Sequence, residues 1–187
     1  MTDQGNEKEM EQDFALIDAF LQGDEGAFEK LFQKYRQRVF KLIYRFVNNE
    51  LEAEDLLQDV FVRVYEKLSK FNKTSAFYTW LYRLAVNICL NHTGRGYKKK
   101  ETSQEDDFIA SQGKSHELGI TALDVDLKEA LKTLPDKQRT TFILKVYDDL
   151  KFSDVARVMK CSVGGAKANY FHAVRKLQEK LEVYREL

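Results

Sequence analysis

The sequence predicts an all-α fold: two small helical domains joined by a flexible acidic linker, the second containing a helix-turn-helix. Three observations predict it. The 187 residues are 43% hydrophobic and 32% charged with a single proline, Pro135, a composition of strong helix formers. From Phe14 onward apolar residues recur at helical spacing in successive segments. That periodicity then collapses between Gly94 and Leu123 into Lys, Glu, Asp, Ser, Gln and Gly, including Glu101, Glu105, Asp106 and Asp107. A structureless stretch of that length is unusual inside one compact domain, so it separates two.

The elements follow in order. Residues 1–13 form an acidic tail, with Asp3, Glu7, Glu9, Glu11 and Asp13 against Lys8. The first domain spans 14–95. Its first helix covers Phe14 to Leu21 and stops at Gly23. The second covers Ala27 to Val47, with Phe28, Leu31, Phe32, Tyr35, Val39, Leu42, Ile43 and Phe46 on one stripe. The third covers Glu52 to Leu68, with Ala53, Leu56, Leu57, Val60, Phe61, Val64 and Leu68 inward. After the loop Lys70 to Thr74, a fourth runs from Ser75 to Thr93 with Phe77, Trp80, Leu81, Leu84, Ala85 and Ile88 inward, ending at Gly94-Arg95-Gly96. The linker is 96–123.

The second domain spans 124–187. Val125, Leu127, Ala130, Leu131 and Leu134 make a helix that Pro135 stops, and a further helix spans Lys137 to Tyr147. Ser153 caps a short helix to Met159, and Ser162 caps a longer one with Val163, Ala166, Tyr170, Val174, Leu177 and Leu181 inward.

A short helix, a tight turn and a long helix meet the needs of a DNA-binding helix-turn-helix. Ala156 is the small residue at the crossing, Val155, Val158 and Met159 face inward, and Val163 and Ala166 face back from the second helix. The outward face reads Ser162, Gly164, Gly165, Lys167, Ala168, Phe171, Arg175 and Lys176. Small residues at its leading end let the helix approach bases. Lys160-Cys161 is a weak turn, because the position needs a positive φ that glycine takes most easily. A helical hairpin with a merely solvated charged face fits this segment alone equally well. Between Lys151 and Lys180 bases outnumber acids, as phosphate contact requires.

The net charge is zero, yet charges are patchy, acidic at the start and basic from Arg95 to Lys100 and in the last third. Two cysteines, Cys89 and Cys161, form no CxxC pair, which fits a reducing compartment. The polar start and the absence of a long apolar run point to a cytoplasmic location. No P-loop, GxGxxG, GxSxG or HExxH motif occurs, and His92, His116 and His172 are scattered, so neither catalysis, nor a metal, nor a cofactor is expected.

Three segments carry a family resemblance: Ala53-Glu54-Asp55-Leu56-Leu57-Gln58-Asp59-Val60-Phe61, Phe77 to Asn87 (FYTWLYRLAVN), and Ser162-Val163-Gly164-Gly165-Ala166-Lys167. In this order they resemble the extracytoplasmic-function sigma factors of the sigma-70 superfamily, over nearly the whole chain after Phe14. The resemblance implies a non-enzymatic factor that lends promoter recognition to bacterial core RNA polymerase. Its first domain would dock on the polymerase and open the minus-ten element, and its second would grip the minus-thirty-five element as duplex.

Residue chemistry is consistent with each role. Asp55, Gln58 and Asp59 lie opposite the apolar stripe, an acidic and hydrogen-bonding strip suited to arginines of a polymerase coiled coil; Glu52, Glu54 and Asp55 also simply favour a helix N-terminus. For the minus-ten single strand, Phe71, Asn72, Lys73, Thr74 and Tyr78 offer stacking faces, base partners and a cation. Arg83, Asn87, Asn91 and Arg95 continue along one helix edge, though Arg83 and Asn87 also read as ordinary surface. Trp80 fits core packing better than stacking. Ala168 and Asn169 stand where the family commonly has serine and arginine, so sequence preference does not transfer.

Members of the family are usually held by an anti-sigma partner, often membrane-attached, and such a partner is expected here. The linker is expected to thread the polymerase's RNA path. No small-molecule substrate is expected. The rival functions are a two-domain repressor or activator that ignores polymerase, and a structural helical adaptor; binding to core polymerase separates all three.

Overall fold

A computed structural model describes the backbone of residues 3–102 and 122–182, and the side chains of 7–94 and 126–182. The chain divides into two compact units, Met1–Lys99 and Lys100–Leu187. All the regular structure among the described residues is helical, and no helix among them is long and apolar enough to cross a membrane.

The first unit is built from α1 (Asp3–Leu21), α2 (Glu25–Val47), α3 (Glu50–Lys67) and α4 (Phe77–Thr102), with one 3-10 turn at Leu68–Lys70. α1 begins at Asp3, eleven residues before the expected start at Phe14, so the acidic stretch is helix rather than tail. Glu7 to Gln12 are good helix formers, and carboxylates near a helix N-terminus are favoured by its dipole. Asp13 is 1% exposed and accepts hydrogen bonds from the Tyr35 hydroxyl and the Lys34 ammonium. Burial, with Asp13 beside it, pushes the Tyr35 phenol well above its ordinary pKa, so it stays a donor.

α1 ends in a Schellman motif. Gly23, at φ 102, donates to the Phe20 carbonyl at 2.9 Å and Asp24 to the Ala19 carbonyl at 3.0 Å. Asn48, left-handed at φ 54, closes α2, and the side chain of Asn49 caps α3 by accepting from the Glu52 amide at 3.1 Å. Ile17, Leu31, Tyr35, Val39, Leu42, Ile43, Ala53, Val60, Val64, Phe77, Leu81, Ala85 and Cys89 form a core at 0–1% exposure. Every residue of the expected α2 stripe is buried or half-buried.

α4 does not stop at Gly94 but continues to Thr102. A glycine inside a helix costs only about 1 kcal/mol relative to alanine, and Arg95 between the two glycines and Lys98 to Lys100 after them are good helix formers. Residues 103–121, the greater part of the expected linker at 96–123, lie outside the described residues, as do the side chains of Arg95, Glu101, Glu105, Asp106, Asp107 and His116.

The second unit comprises α5 (Ala122–Lys132), α6 (Asp136–Phe142) continued by a π-helical turn (Ile143–Tyr147), α7 (Phe152–Met159) and α8 (Val163–Lys180). Ala130, Leu131, Leu134, Phe142, Ala173 and Leu177 form one cluster, with Leu127, Tyr170 and Val174 packed against it. Pro135 stands at the N-cap of α6, where its missing amide proton has no helical partner to lose. α7 starts one residue before the expected cap: Lys151 is its N-cap, and Ser153 lies in the first turn without capping it.

Candidate nucleic-acid interface

α7 and α8 form the expected helix-turn-helix. Ala156 (5%) and Ala166 (0%) are buried, as close crossing of the helices requires, and Val155 and Val158 fill in beside them. Between the helices Lys160 sits at φ 51 and ψ 50, and the amide of Cys161 donates to the Ala156 carbonyl at 3.0 Å. The turn therefore takes the left-handed conformation read from the sequence, with a lysine in the place glycine prefers. The hydroxyl of Ser162 accepts from the Gly165 amide at 3.0 Å and fixes the start of α8. A Cβ on Gly165 would lie 3.2 Å from that hydroxyl oxygen, so the glycine serves the cap.

Along α8, Ala166, Ala173 and Leu177 bury while Ser162, Gly164, Lys167, Ala168, Phe171 and Arg175 are exposed; Gly165 and Lys176 are half-buried. Gly164, Lys167, Ala168, Phe171 and Arg175 follow at three- and four-residue spacing and so share one face. Phe171 is 63% exposed, and Arg175 reaches Glu179 at 3.5 Å. Val163 is a correction: at 43% exposure it lies on the outer side of the first turn, because the cap geometry turns the helix so that Ala166 faces α7. Ala173 was missed as a core residue, since alanine carries little hydrophobic signal.

In the first unit Phe71 is the principal correction. It is 6% exposed, with ring centroids 5.8 Å from Phe77, 5.4 Å from Trp80 and 6.0 Å from Phe14. It follows the 3-10 turn, its amide donating to the Leu68 carbonyl at 3.0 Å, and that turn aims the ring into the core. Trp80, at 9% exposure, packs there too. Asn72 and Thr74 remain exposed; the Asn72 Oδ1 accepts from the Thr74 amide at 3.3 Å and its hydroxyl at 2.8 Å. Lys73 is half-buried, at φ 56, and is paired with Asp18 of α1. Tyr78 is half-buried, 6.3 Å edge-on from Tyr82. On α4, Arg83 is half-buried while Asn87 and Asn91 are exposed; four-residue spacing puts the three on one edge. The side chain of Arg95 lies outside the described residues.

Asp55, Gln58 and Asp59 of α3 are all exposed. Leu51 (74%), Val62 (56%) and Tyr65 (49%) are exposed on the same helix and were missed by sequence reasoning. The available signal was their position off the buried stripe, at spacings that place them among the three polar residues. Among the described residues no group of three His, Cys, Asp or Glu side chains gathers to hold a metal.

Comparison with known proteins gives these surfaces a context. The family described as Sigma-70 region 2 matches residues 31–98, and Sigma-70 region 4 matches 124–177. The RNA polymerase sigma-H factor of Pseudomonas aeruginosa is 33% identical over 183 residues, covering 92% of this chain and 95% of that protein. The ECF RNA polymerase sigma-E factor of Haemophilus influenzae is 30% identical over 185 residues, covering 91% and 95%. The fold matches that of the sigma factor RpoE from Bartonella quintana, solved in complex with the anti-sigma factor NepR, at a TM-score of 0.64 and 23% identity over 83% of this chain and 97% of that one. The chain therefore belongs to the sigma-70 family of transcription initiation factors, in its extracytoplasmic-function branch.

Proposed function

We propose that this sigma factor joins bacterial core RNA polymerase through the exposed α3 strip, Asp55, Gln58 and Asp59 flanked by Leu51 and Val62. Loop 72–74, with Tyr78, Arg83, Asn87 and Asn91 of α4, captures the opened minus-ten strand. The outer face of α8 reads the minus-thirty-five element in the major groove, Lys167 and Arg175 on phosphates or base edges and Ala168 and Phe171 on apolar base surface. The observation that carries this reading is the division of α8: alanines and a leucine bury one side, while Lys167, Ala168, Phe171 and Arg175 stand exposed on the other. The factor itself catalyses nothing; it works in the cytoplasm and needs no cofactor or small-molecule substrate.

The test mixes the purified chain with bacterial core RNA polymerase and follows co-elution on gel filtration and run-off transcription from a promoter library. Co-elution with initiation at defined sites is expected. Duplex binding without polymerase association would instead make the chain an ordinary repressor or activator.

Control by an anti-sigma protein belongs to the same proposal. The Bartonella sigma factor was solved with such a partner, and the exposed apolar residues Leu51, Val62 and Phe171 offer an inhibitor surfaces that polymerase and DNA would otherwise cover. The inhibitor's attachment to a membrane is part of this expectation. Pull-down from the native host should recover it; full activity of the chain in those cells with no inhibitor recovered would remove this part of the reading.

A further inference from the structure

We propose that α1 braces the loop that captures single-stranded DNA, and that Asp18 is the positioning residue through which it acts. The inference rests on the assignment of loop 72–74 to the minus-ten strand.

One side of α1 is anchored. Asp13 is buried on α2, where the Tyr35 hydroxyl and the Lys34 ammonium satisfy its carboxylate, as a buried charge requires. Glu9 adds ion pairs to Lys34 at 3.5 Å and Arg38 at 3.4 Å, and Ile17 is fully buried. The neighbouring face of the same helix meets the loop. The Phe14 ring packs 6.0 Å from that of Phe71, the Lys73 ammonium lies 5.6 Å above the Phe14 ring, and Lys73 pairs with Asp18. Asp13 and Ile17 thus hold α1 to α2, while Phe14 and Asp18, each one residue further on, hold the loop to α1.

The loop backbone needs holding. Lys73 sits at φ 56, where a side chain longer than hydrogen is disfavoured. Asn72 bonds across it to Thr74 on one side, and Asp18 fixes its side chain on the other. With its ammonium occupied, Lys73 pins the loop instead of serving as the DNA cation that its sequence position indicates, and the exposed Asn72 and Thr74 are presented in a set geometry. Asp18 is 53% and Lys73 33% exposed in their side chains, so the pair contributes little to global stability. Its effect is local, on a loop that must meet unpaired bases in one conformation.

The experiment uses holoenzyme assembled from the full chain and core polymerase, on a promoter recovered from the run-off library, with a fluorescent base analogue in the minus-ten element reporting strand opening. Asp18→Asn is expected to slow opening roughly fivefold, the factor that corresponds to about 1 kcal/mol, with polymerase affinity and the thermal midpoint of the chain unchanged. Asp18→Glu, which keeps the carboxylate, should restore opening, and the reversed pair Asp18→Lys with Lys73→Asp should recover most of it. Opening by Asp18→Asn at the wild-type rate or faster, or a reversed pair no better than Lys73→Ala, would overturn the proposal and give Lys73 a direct DNA contact. Normal opening by both Asn72→Ala and Tyr78→Ala would instead overturn the assignment of the loop itself.

Discussion

A single ring marks the boundary between the core and the proposed DNA surface of the first unit. Phe71 occurs in a polar loop, where the sequence has no periodicity to say whether a side chain points in or out; its neighbours Asn72 and Thr74 are exposed while it is 6% exposed. Phe71→Ala should therefore cost about 3–5 kcal/mol and lower the thermal midpoint seen by circular dichroism. Asn72→Ala should stay within about 0.5 kcal/mol and weaken binding to a minus-ten single strand. Equal loss of strand binding by both variants, with no loss of stability in Phe71→Ala, would return the ring to the surface. The turn residue Lys160 was readable for the opposite reason: a helix-turn-helix dictates its backbone wherever it occurs, and φ is indeed 51. Lys160→Gly should stabilise the second unit by about 1 kcal/mol, and Ser162→Ala should destabilise it by about 1 kcal/mol by leaving the Gly165 amide unpaired. Urea denaturation of each variant checks both signs.

Helices were legible where one apolar stripe ran their length, as in α2, and less so where charge or glycine masked the pattern. α1 starts early because its acidic residues are satisfied by Lys34, Tyr35 and Arg38 of another helix, a tertiary fact that no local pattern carries. The start of α7 was placed one residue late because a serine suited to capping stood inside the first turn. On α3 the polar strip was visible in the sequence, but Leu51 and Val62 were recognised as exposed only once the helix was packed. Each of these elements makes its own prediction. Asp55→Ala and Asp59→Ala should weaken association with core polymerase on gel filtration while leaving the thermal midpoint within a degree or two, because neither side chain is buried. On α8, Lys167→Ala and Arg175→Ala should each lower the slope of log affinity against log salt by about 1 for duplex DNA, if each neutralises one phosphate. An unchanged slope with lost sequence preference would move that residue from the backbone to a base edge.

At the scale of the whole chain the charges cancel, 30 basic against 30 acidic residues, and this constrains how the factor reaches a promoter. Nonspecific DNA affinity comes from phosphate neutralisation, and proteins that rely on it alone bind at about 10⁻⁴ to 10⁻⁶ M in physiological salt. A chain with an acidic α1 and an acidic strip on α3, set against basic residues at Arg95 to Lys100 and on α8, is expected at the weak end of that range when free, because its own carboxylates repel the duplex it must approach. In the proposed assembly, core polymerase would remove part of that repulsion by covering the α3 strip and would hold the α8 face beside DNA, so that a weak contact becomes an intramolecular one. Fluorescence anisotropy of a labelled minus-thirty-five duplex should accordingly give a dissociation constant of about 10⁻⁵ M or weaker for the free chain and an affinity at least a hundredfold tighter once core polymerase is present. The same duplex bound at nanomolar strength by the chain alone would mean that the second unit recognises DNA independently, and the case for a polymerase-dependent factor would then rest on the first unit by itself.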